Sequence, residues 1–229
     1  MDRVDFATVN QPAGQTPLAP APGGPVYAAD VATQRALQST TLQENGVLRS
    51  TARAFNWWGG SGVIYVVALL WLGGRAARRR RVAHLGLRCA EGIAVSSAIS
   101  GIIKGLAGRA RPFATPGEPW HWGFAHGWVD ARYFSMPSGH TTVLFAATAA
   151  LIVTTAQTRP LPRVSLAAAA LASALLVAFA RVYSGQHWLS DVLAGALLGS
   201  LTGYYIARWH LRHPATAFDR ALLGTSAAS

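Results

Sequence analysis

The sequence predicts an all-α protein: a polytopic membrane bundle of about five transmembrane helices, preceded by an N-terminal amphipathic helix. Hydrophobic residues make up 51% of the chain and charged residues only 13%, a balance typical of membrane proteins. Five apolar segments follow one another, each about as long as a helix that crosses a hydrocarbon core of ~30 Å. They cover residues 57–73, 89–107, 141–157, 164–183 and 192–209. A soluble helical core could contain one such segment, but hardly five in a row.

The region before the first apolar segment has a different composition. Residues 1–27 are rich in proline, glycine, alanine and threonine and lack the apolar stretch of a signal peptide, so we expect a disordered tail. In residues 28–56, apolar side chains recur among polar ones. This pattern is compatible with an amphipathic helix in the membrane interface or with a partly ordered linker. The transmembrane domain is expected at residues 57–209, and a cytoplasmic C-terminal tail at 210–229.

The formal net charge of +11 first raises the question of nucleic acid. The basic residues, however, cluster between apolar segments and form no basic helix or aromatic-studded sheet, so membrane lipids are the expected partner and nucleic acid is not. Six arginines separate the first two apolar segments: Arg75, Arg78, Arg79, Arg80, Arg81 and Arg88. The positive-inside rule makes that side cytoplasmic and places the loop of residues 108–139 outside. The single cysteine, Cys89, excludes an internal disulfide.

Residues 180–191, ARVYSGQHWLSD, combine charged and polar groups between two apolar segments. If a helix opens near Ser190, His187 and Asp191 lie four residues apart on one face. The carboxylate could then bind one imidazole nitrogen, fix the tautomer and leave the other nitrogen free to attack. A capping aspartate beside a buried histidine is the alternative interpretation of these residues taken alone.

Two further stretches accompany this one: KGLAGRARP, with Lys104 and Arg111 followed by proline, and PSGH at residues 137–140. Together the three resemble the signature of the type 2 phosphatidic acid phosphatase (PAP2) superfamily, K-x6-R-P, P-S-G-H and S-R-x5-H-x3-D. Ala180 stands where the family usually has serine, and family members commonly carry six helices, one more than predicted. The positive-inside rule depends on the positions of the arginines alone. It places all three motifs on one, non-cytoplasmic, face, which supports the resemblance independently.

The resemblance implies a role for each matching residue. His187 would be the nucleophile that forms a phosphohistidine, Asp191 would orient it, and His140 would act as general acid and then general base. The substrate phosphate would be bound by side-chain and backbone groups of Lys104, Arg111, Ser138, Gly139 and Arg181. Phosphoryl transfer needs little beyond positioning and charge stabilisation, so we expect no metal and no cofactor.

The function implied is hydrolysis of a lipid phosphate by an integral membrane phosphatase of the cell inner membrane, with its site facing the periplasm. Phosphatidic acid, phosphatidylglycerol phosphate and undecaprenyl diphosphate are the candidate substrates. A lipid phosphotransferase, a vanadium haloperoxidase-like enzyme and a non-catalytic binding or transport protein are the alternatives. In residues 119–128, PWHWGFAHGW, we favour an aromatic belt at the headgroup level over a metal site at His121 and His126.

Overall fold

The computed structural model describes residues 23–156 and 160–213, and within these ranges the fold is helical. The helices are α1 (Gly24–Leu37), α2 (Thr40–Glu44), α3 (Gly46–Trp57), α4 (Val63–Ala76), α5 (Arg80–Ala107), α6 (Gly139–Thr155), α7 (Pro160–Tyr183) and α8 (Leu189–Arg212). A π-helical turn, Trp58–Gly62, joins α3 to α4. Two short 3₁₀ turns, His126–Trp128 and Ala131–Tyr133, lie in the loop between α5 and α6. The predicted all-α class is confirmed.

Four helical stretches of the described chain are long and apolar enough to cross a membrane: Gly46–Ala76, Arg80–Ala107, Pro160–Tyr183 and Leu189–Arg212. The apolar helix α6 is shorter. Each of the five predicted segments lies within one of these five stretches, except for the last two residues of the third, of which Gln157 is outside the described ranges. Large apolar side chains such as Leu69, Leu161 and Leu197 are exposed on the outer surface, as faces that contact lipid require. The helical membrane bundle is therefore confirmed.

The N-terminal region is helical, but its helices have other bounds than those predicted. Residues 24–27, assigned to a disordered tail, begin α1, while residues 1–22 lie outside the described ranges. Residues 28–56 form most of α1, all of α2 and nearly all of α3, and α3 continues through the π-helical turn into α4. The helix begins before the apolar run because Asn45 caps it, accepting hydrogen bonds from the backbone N–H groups of Val47 and Leu48. At the other end, α8 continues to Arg212, beyond the predicted boundary at residue 209.

Helices α6 and α8 pack closely through three glycines spaced four residues apart on α8. A Cβ added to Gly195, Gly199 or Gly203 would come within 2.6, 2.2 or 2.1 Å of a backbone oxygen of α6 or of its N-cap. Small residues on one face let two membrane helices approach until their backbones touch. This contact holds the start of α6 against the start of α8.

The helix directions bring the three motifs to one end of the bundle. The C-terminal ends of α5 and α7 and the N-terminal ends of α6 and α8 lie there, whereas the arginine-rich turn between α4 and α5 lies at the opposite end. Between the two ends, small and branched apolar side chains form the main core: Val63, Val67, Cys89, Leu144, Ala147, Ala150, Ala174, Val177 and Ala207.

Candidate active site

The start of α8 sets the geometry of the His187–Asp191 pair. The helix begins at Leu189 with Trp188 at the N-cap, so the predicted helix opening is confirmed. Asp191 Oδ2 accepts a hydrogen bond of 2.9 Å from the backbone N–H of Trp188 and lies 3.5 Å from His187 Nδ1. With Nδ1 facing Asp191, the other ring nitrogen, Nε2, is the one available for attack.

The surroundings of His187 keep its imidazole neutral. The side chain is only 2% exposed. Burial above all, together with the positive charges of Lys104 and Arg181, lowers the pKa of His187 to about 3, while Asp191 acts in the opposite direction. A neutral imidazole is the nucleophilic form, so His187 could act as a nucleophile.

Two residues outside the predicted set fix the Asp191 carboxylate. Ser135 Oγ donates a hydrogen bond of 2.5 Å to Asp191 Oδ2 and lies 3.4 Å from His187 Nδ1. Arg109 Nη1 donates to the other oxygen, Asp191 Oδ1, at 2.6 Å. Asp191 is fully buried, and these donors satisfy its lone pairs on both sides.

Lys104 and Arg111 enter from the end of α5 and the loop that follows. The Lys104 ammonium donates to the backbone oxygens of Phe134 and Ser135, at 3.2 and 2.9 Å. Because an ammonium has three N–H donors, one remains for a substrate oxygen. The Arg111 guanidinium donates to Gln186 Oε1 at 3.0 Å, and burial lowers the pKa of Arg111 from its very high ordinary value.

The PSGH motif forms the start of α6, with Ser138 at the N-cap. The backbone N–H of Ser138 donates to the backbone oxygen of Asp191 at 2.9 Å, and its hydroxyl accepts a hydrogen bond from Thr141. The Ser138 N–H thus ties α6 to α8 in this structure, and the phosphate-binding role of Ser138 stays a prediction. Gly139 lies against Lys104, since an added Cβ would be 3.7 Å from Lys104 Cε.

His140 lies against the π-helical turn. A Cβ added to Gly60 would be 3.0 Å from His140 Nε2, so bare backbone borders the imidazole there. The side chain is half-buried, and the charges of Arg181, Lys104 and Arg111 all act on it. His140 therefore belongs to the same site as the three cations.

Arg181 retains unused hydrogen-bonding capacity. Its Nη1 donates to Asn56 Oδ1 at 3.2 Å, whereas its Nε is buried and has no hydrogen-bond partner among the described residues. An unpaired buried donor is costly, and an anion would supply the missing acceptor. The eight predicted site residues thus lie at one end of the bundle. The charges of Lys104, Arg111 and Arg181 act on His140, and those of Lys104 and Arg181 act on His187, a composition suited to a dianionic phosphate group.

A sequence model of the PAP2 superfamily matches residues 85–214, which contain all three motifs. The chain belongs to the PAP2 superfamily.

Two relatives give the match more detail. The chain is 33% identical over 174 residues to a decaprenylphosphoryl-5-phosphoribose phosphatase of Mycobacterium tuberculosis, covering 76% of this chain and 86% of that protein. It is 31% identical over 136 residues to YbjG of Escherichia coli (strain K12), which is provisionally named as an undecaprenyl-diphosphatase. That second match spans 59% of this chain and 60% of the Escherichia coli protein, less than two thirds of its length.

Two solved structures share the fold of this PAP2 protein. A transmembrane PAP2-type phosphatidylglycerolphosphate phosphatase from Bacillus subtilis superposes with a TM-score of 0.64 at 22% identity, covering 82% of this chain and 88% of that one. LpxE from Aquifex aeolicus superposes with a TM-score of 0.50 at 20% identity, covering 77% and 93%. At these identities the likeness establishes the arrangement of helices.

The departure at Ala180 has a packing explanation. Ala180 is almost fully buried in a small apolar cluster with Ala52 of α3 and Tyr183, against which Leu48 and Phe55 also pack. A serine at this position would place its hydroxyl beside apolar side chains. The alanine therefore fits the apolar contact between α7 and the N-terminal helices of this PAP2 protein.

Proposed function

We propose that this PAP2 protein is a lipid phosphatase that works through a phosphohistidine on His187. The observation that carries the proposal is the cluster of Lys104, Arg111 and Arg181, of which Lys104 and Arg181 act on a buried, neutral histidine whose Nδ1 faces Asp191. Three cations of this kind can neutralise a phosphate group that carries close to two negative charges.

The reaction has two steps. His187 Nε2 attacks phosphorus, the N–P bond forms, and the bond from phosphorus to the leaving oxygen breaks as His140 gives that oxygen a proton. Water then attacks phosphorus while His140 takes up one of its protons, and the N–P bond breaks to release inorganic phosphate. The positive charge on the phosphorylated imidazole faces Asp191, while the cations bind the phosphoryl oxygens.

For the substrate, we propose a phosphate or diphosphate carried by a polyprenyl lipid. The two relatives above, at 33% and 31% identity, are named for decaprenyl-linked and undecaprenyl-linked compounds. Phosphatidic acid and phosphatidylglycerol phosphate then rank as weaker substrates. The exposed Trp120, Trp122 and Trp128 lie in the loop between α5 and α6 and would be at the level of the lipid headgroup.

A substrate panel tests this proposal. Purified protein in detergent micelles is expected to release inorganic phosphate fastest from undecaprenyl diphosphate or a polyprenyl-linked sugar phosphate. Release from phosphatidic acid should be slower by a factor of about ten or more, because binding of the headgroup and the lipid chain contributes to positioning of the phosphate. EDTA should leave the rate unchanged. A parallel reaction with an acceptor alcohol reports phosphotransfer. A preference for phosphatidic acid would overturn the proposed substrate class. If none of these lipids released phosphate, the proposed hydrolase activity would be overturned.

We also propose that the protein lies in an inner membrane with the site on the periplasmic side. Two single-cysteine variants in a Cys89→Ala background test the orientation. Val129 is 82% exposed in the loop between α5 and α6, and Ala77 is exposed in the arginine-rich turn between α4 and α5. Because the arginines should stay in the cytoplasm, an impermeant maleimide is expected to label Val129→Cys in cells with an intact inner membrane. Ala77→Cys should require lysis, and the reverse pattern would place the site in the cytoplasm.

A further inference from the structure

Helix α1 lies outside the residues that match the PAP2 sequence model, yet one of its side chains reaches into the active-site network. Asp30 is 1% exposed. Its Oδ2 accepts hydrogen bonds from Arg109 Nη2 at 2.7 Å and from Ser190 Oγ at 2.6 Å, and its Oδ1 accepts from the backbone N–H of Ser190 at 2.8 Å. Asp30 therefore binds both Arg109 and the first turn of α8.

Arg109 joins Asp30 to Asp191. It is 1% exposed, and its two terminal nitrogens pair with the two carboxylates at 2.7 and 2.6 Å. Its Nε donates to the backbone oxygen of Pro119 at 2.7 Å. The result is a buried row in which three charged groups, Asp30, Arg109 and Asp191, lead to the neutral imidazole of His187.

The formal charge of this row explains why a second carboxylate is useful. Arg109 with Asp191 alone would be neutral, but with Asp30 the three groups carry one net negative charge. The charges of Lys104 and Arg181 act on His187 and disfavour positive charge on its ring. A negative charge behind the imidazole opposes this effect at the stage when the phosphorylated ring becomes cationic.

Docking of α1 does not by itself call for this carboxylate. Other polar contacts already fasten the helix: the Tyr27 hydroxyl donates to the backbone oxygen of Gly117, Gln34 accepts from the N–H of Gly117, and Gln38 donates to the backbone oxygen of Tyr183. Burying an ionised carboxylate is costly even when it is paired. An apolar side chain would dock the helix without that cost.

We propose that Asp30 is a positioning residue for the phosphoryl transfer proposed above: through Arg109 it holds the Asp191 carboxylate against His187 and keeps the network on that side of the ring negatively charged. This inference rests on the proposed phosphohistidine mechanism. Asp30 touches neither the substrate nor the reacting atoms. The N-terminal segment that carries it is then a working part of the enzyme.

Asp30→Asn tests the role in the full-length protein. Asparagine keeps the size and the acceptor for the Ser190 N–H but removes the charge. With a substrate that has a chromogenic leaving group, rapid mixing separates phosphorylation of His187 from hydrolysis of the phosphohistidine. Phosphorylation is expected to slow about tenfold, in the range of couplings seen within one buried network. Hydrolysis should be unchanged or faster, because the cationic intermediate has lost stabilisation.

Gln34→Ala is the matched control, since it removes a contact of the same helix without changing the charge. It should leave both steps within twofold of wild type. If Asp30 only fastened α1, both variants would slow both steps together, and that result would overturn the proposal. So would wild-type phosphorylation kinetics in Asp30→Asn.

A second variant covers the stability of the network. Arg109→Gln alone leaves two buried carboxylates without their cation and should unfold at a lower temperature than Asp30→Asn/Arg109→Gln. An equal or lower melting temperature of the double variant would contradict the pairing. If wild type forms no phosphohistidine, the proposed mechanism itself fails, which is distinct from an Asp30 variant that behaves as wild type.

Discussion

Replacing His187 with alanine is expected to lower the turnover of the lipid phosphate by about 10⁴-fold or more, because in the proposed mechanism the residue supplies the atom that bonds to phosphorus. Wild-type protein quenched during turnover should carry phosphate in a linkage that is labile in acid and stable in base, and the variant should carry none. His187→Gln, which is closer in size to the buried imidazole, should be equally inactive, so the loss cannot be ascribed to a cavity alone.

His121→Ala is the control, since His121 is a solvent-exposed histidine of the loop between α5 and α6, 45% exposed. It should keep near wild-type turnover. Normal turnover in His187→Ala would rule out the phosphohistidine mechanism.

His140→Ala should behave differently from both His187→Ala and His121→Ala. With a good leaving group it should still form the phosphohistidine but hydrolyse it slowly, so the labelled protein should accumulate.

Much of the fold could be predicted because the bilayer restricts what an apolar segment can be. Backbone groups in lipid must bond within their own segment, so each long apolar run had to be a helix. The same rule does not predict the structure of residues 28–56, which contain no long apolar run. Whether residues 28–56 lie in the interface or dock on the protein depends on contacts between distant residues, such as Asp30 with Arg109 and Ser190. Such contacts leave no periodic trace in the sequence.

The candidate site shows the same division. Lys104, His140 and His187 could be predicted because the three motifs that contain them resemble the PAP2 signature in residue type, order and spacing. Ser135 and Arg109 were missed, although Arg109 stands only two residues before the predicted Arg111. What distinguishes the two arginines is three-dimensional: Arg109 is enclosed between Asp30 and Asp191, whereas Arg111 pairs with the neutral Gln186.

Lys104→Met is expected to reduce the rate constant for turnover by about 10²-fold, the loss of a few kcal/mol of transition-state charge stabilisation. Methionine keeps an unbranched side chain of similar size but removes the ammonium that donates to the oxygens of Phe134 and Ser135. The rate constant of Lys104→Arg should fall between those of Lys104→Met and wild type. Arginine keeps the positive charge, but its planar guanidinium is larger than the ammonium and places its donors differently. Rates at saturating substrate, with phosphohistidine formation followed in parallel, provide the measurement.

Arg88→Met is the matched control for charge. Arg88 lies on the same helix, α5, 16 residues earlier and thus about 24 Å away along the helix axis, so loss of its charge should change the rate less than twofold. Since Lys104 is the only lysine in the chain, acylation of lysine amines offers a second route: it should inactivate wild type unless a substrate analogue protects it, and should not affect Lys104→Arg. Full activity in Lys104→Met would show instead that the lysine serves only to anchor the end of α5 through the Phe134 and Ser135 carbonyls.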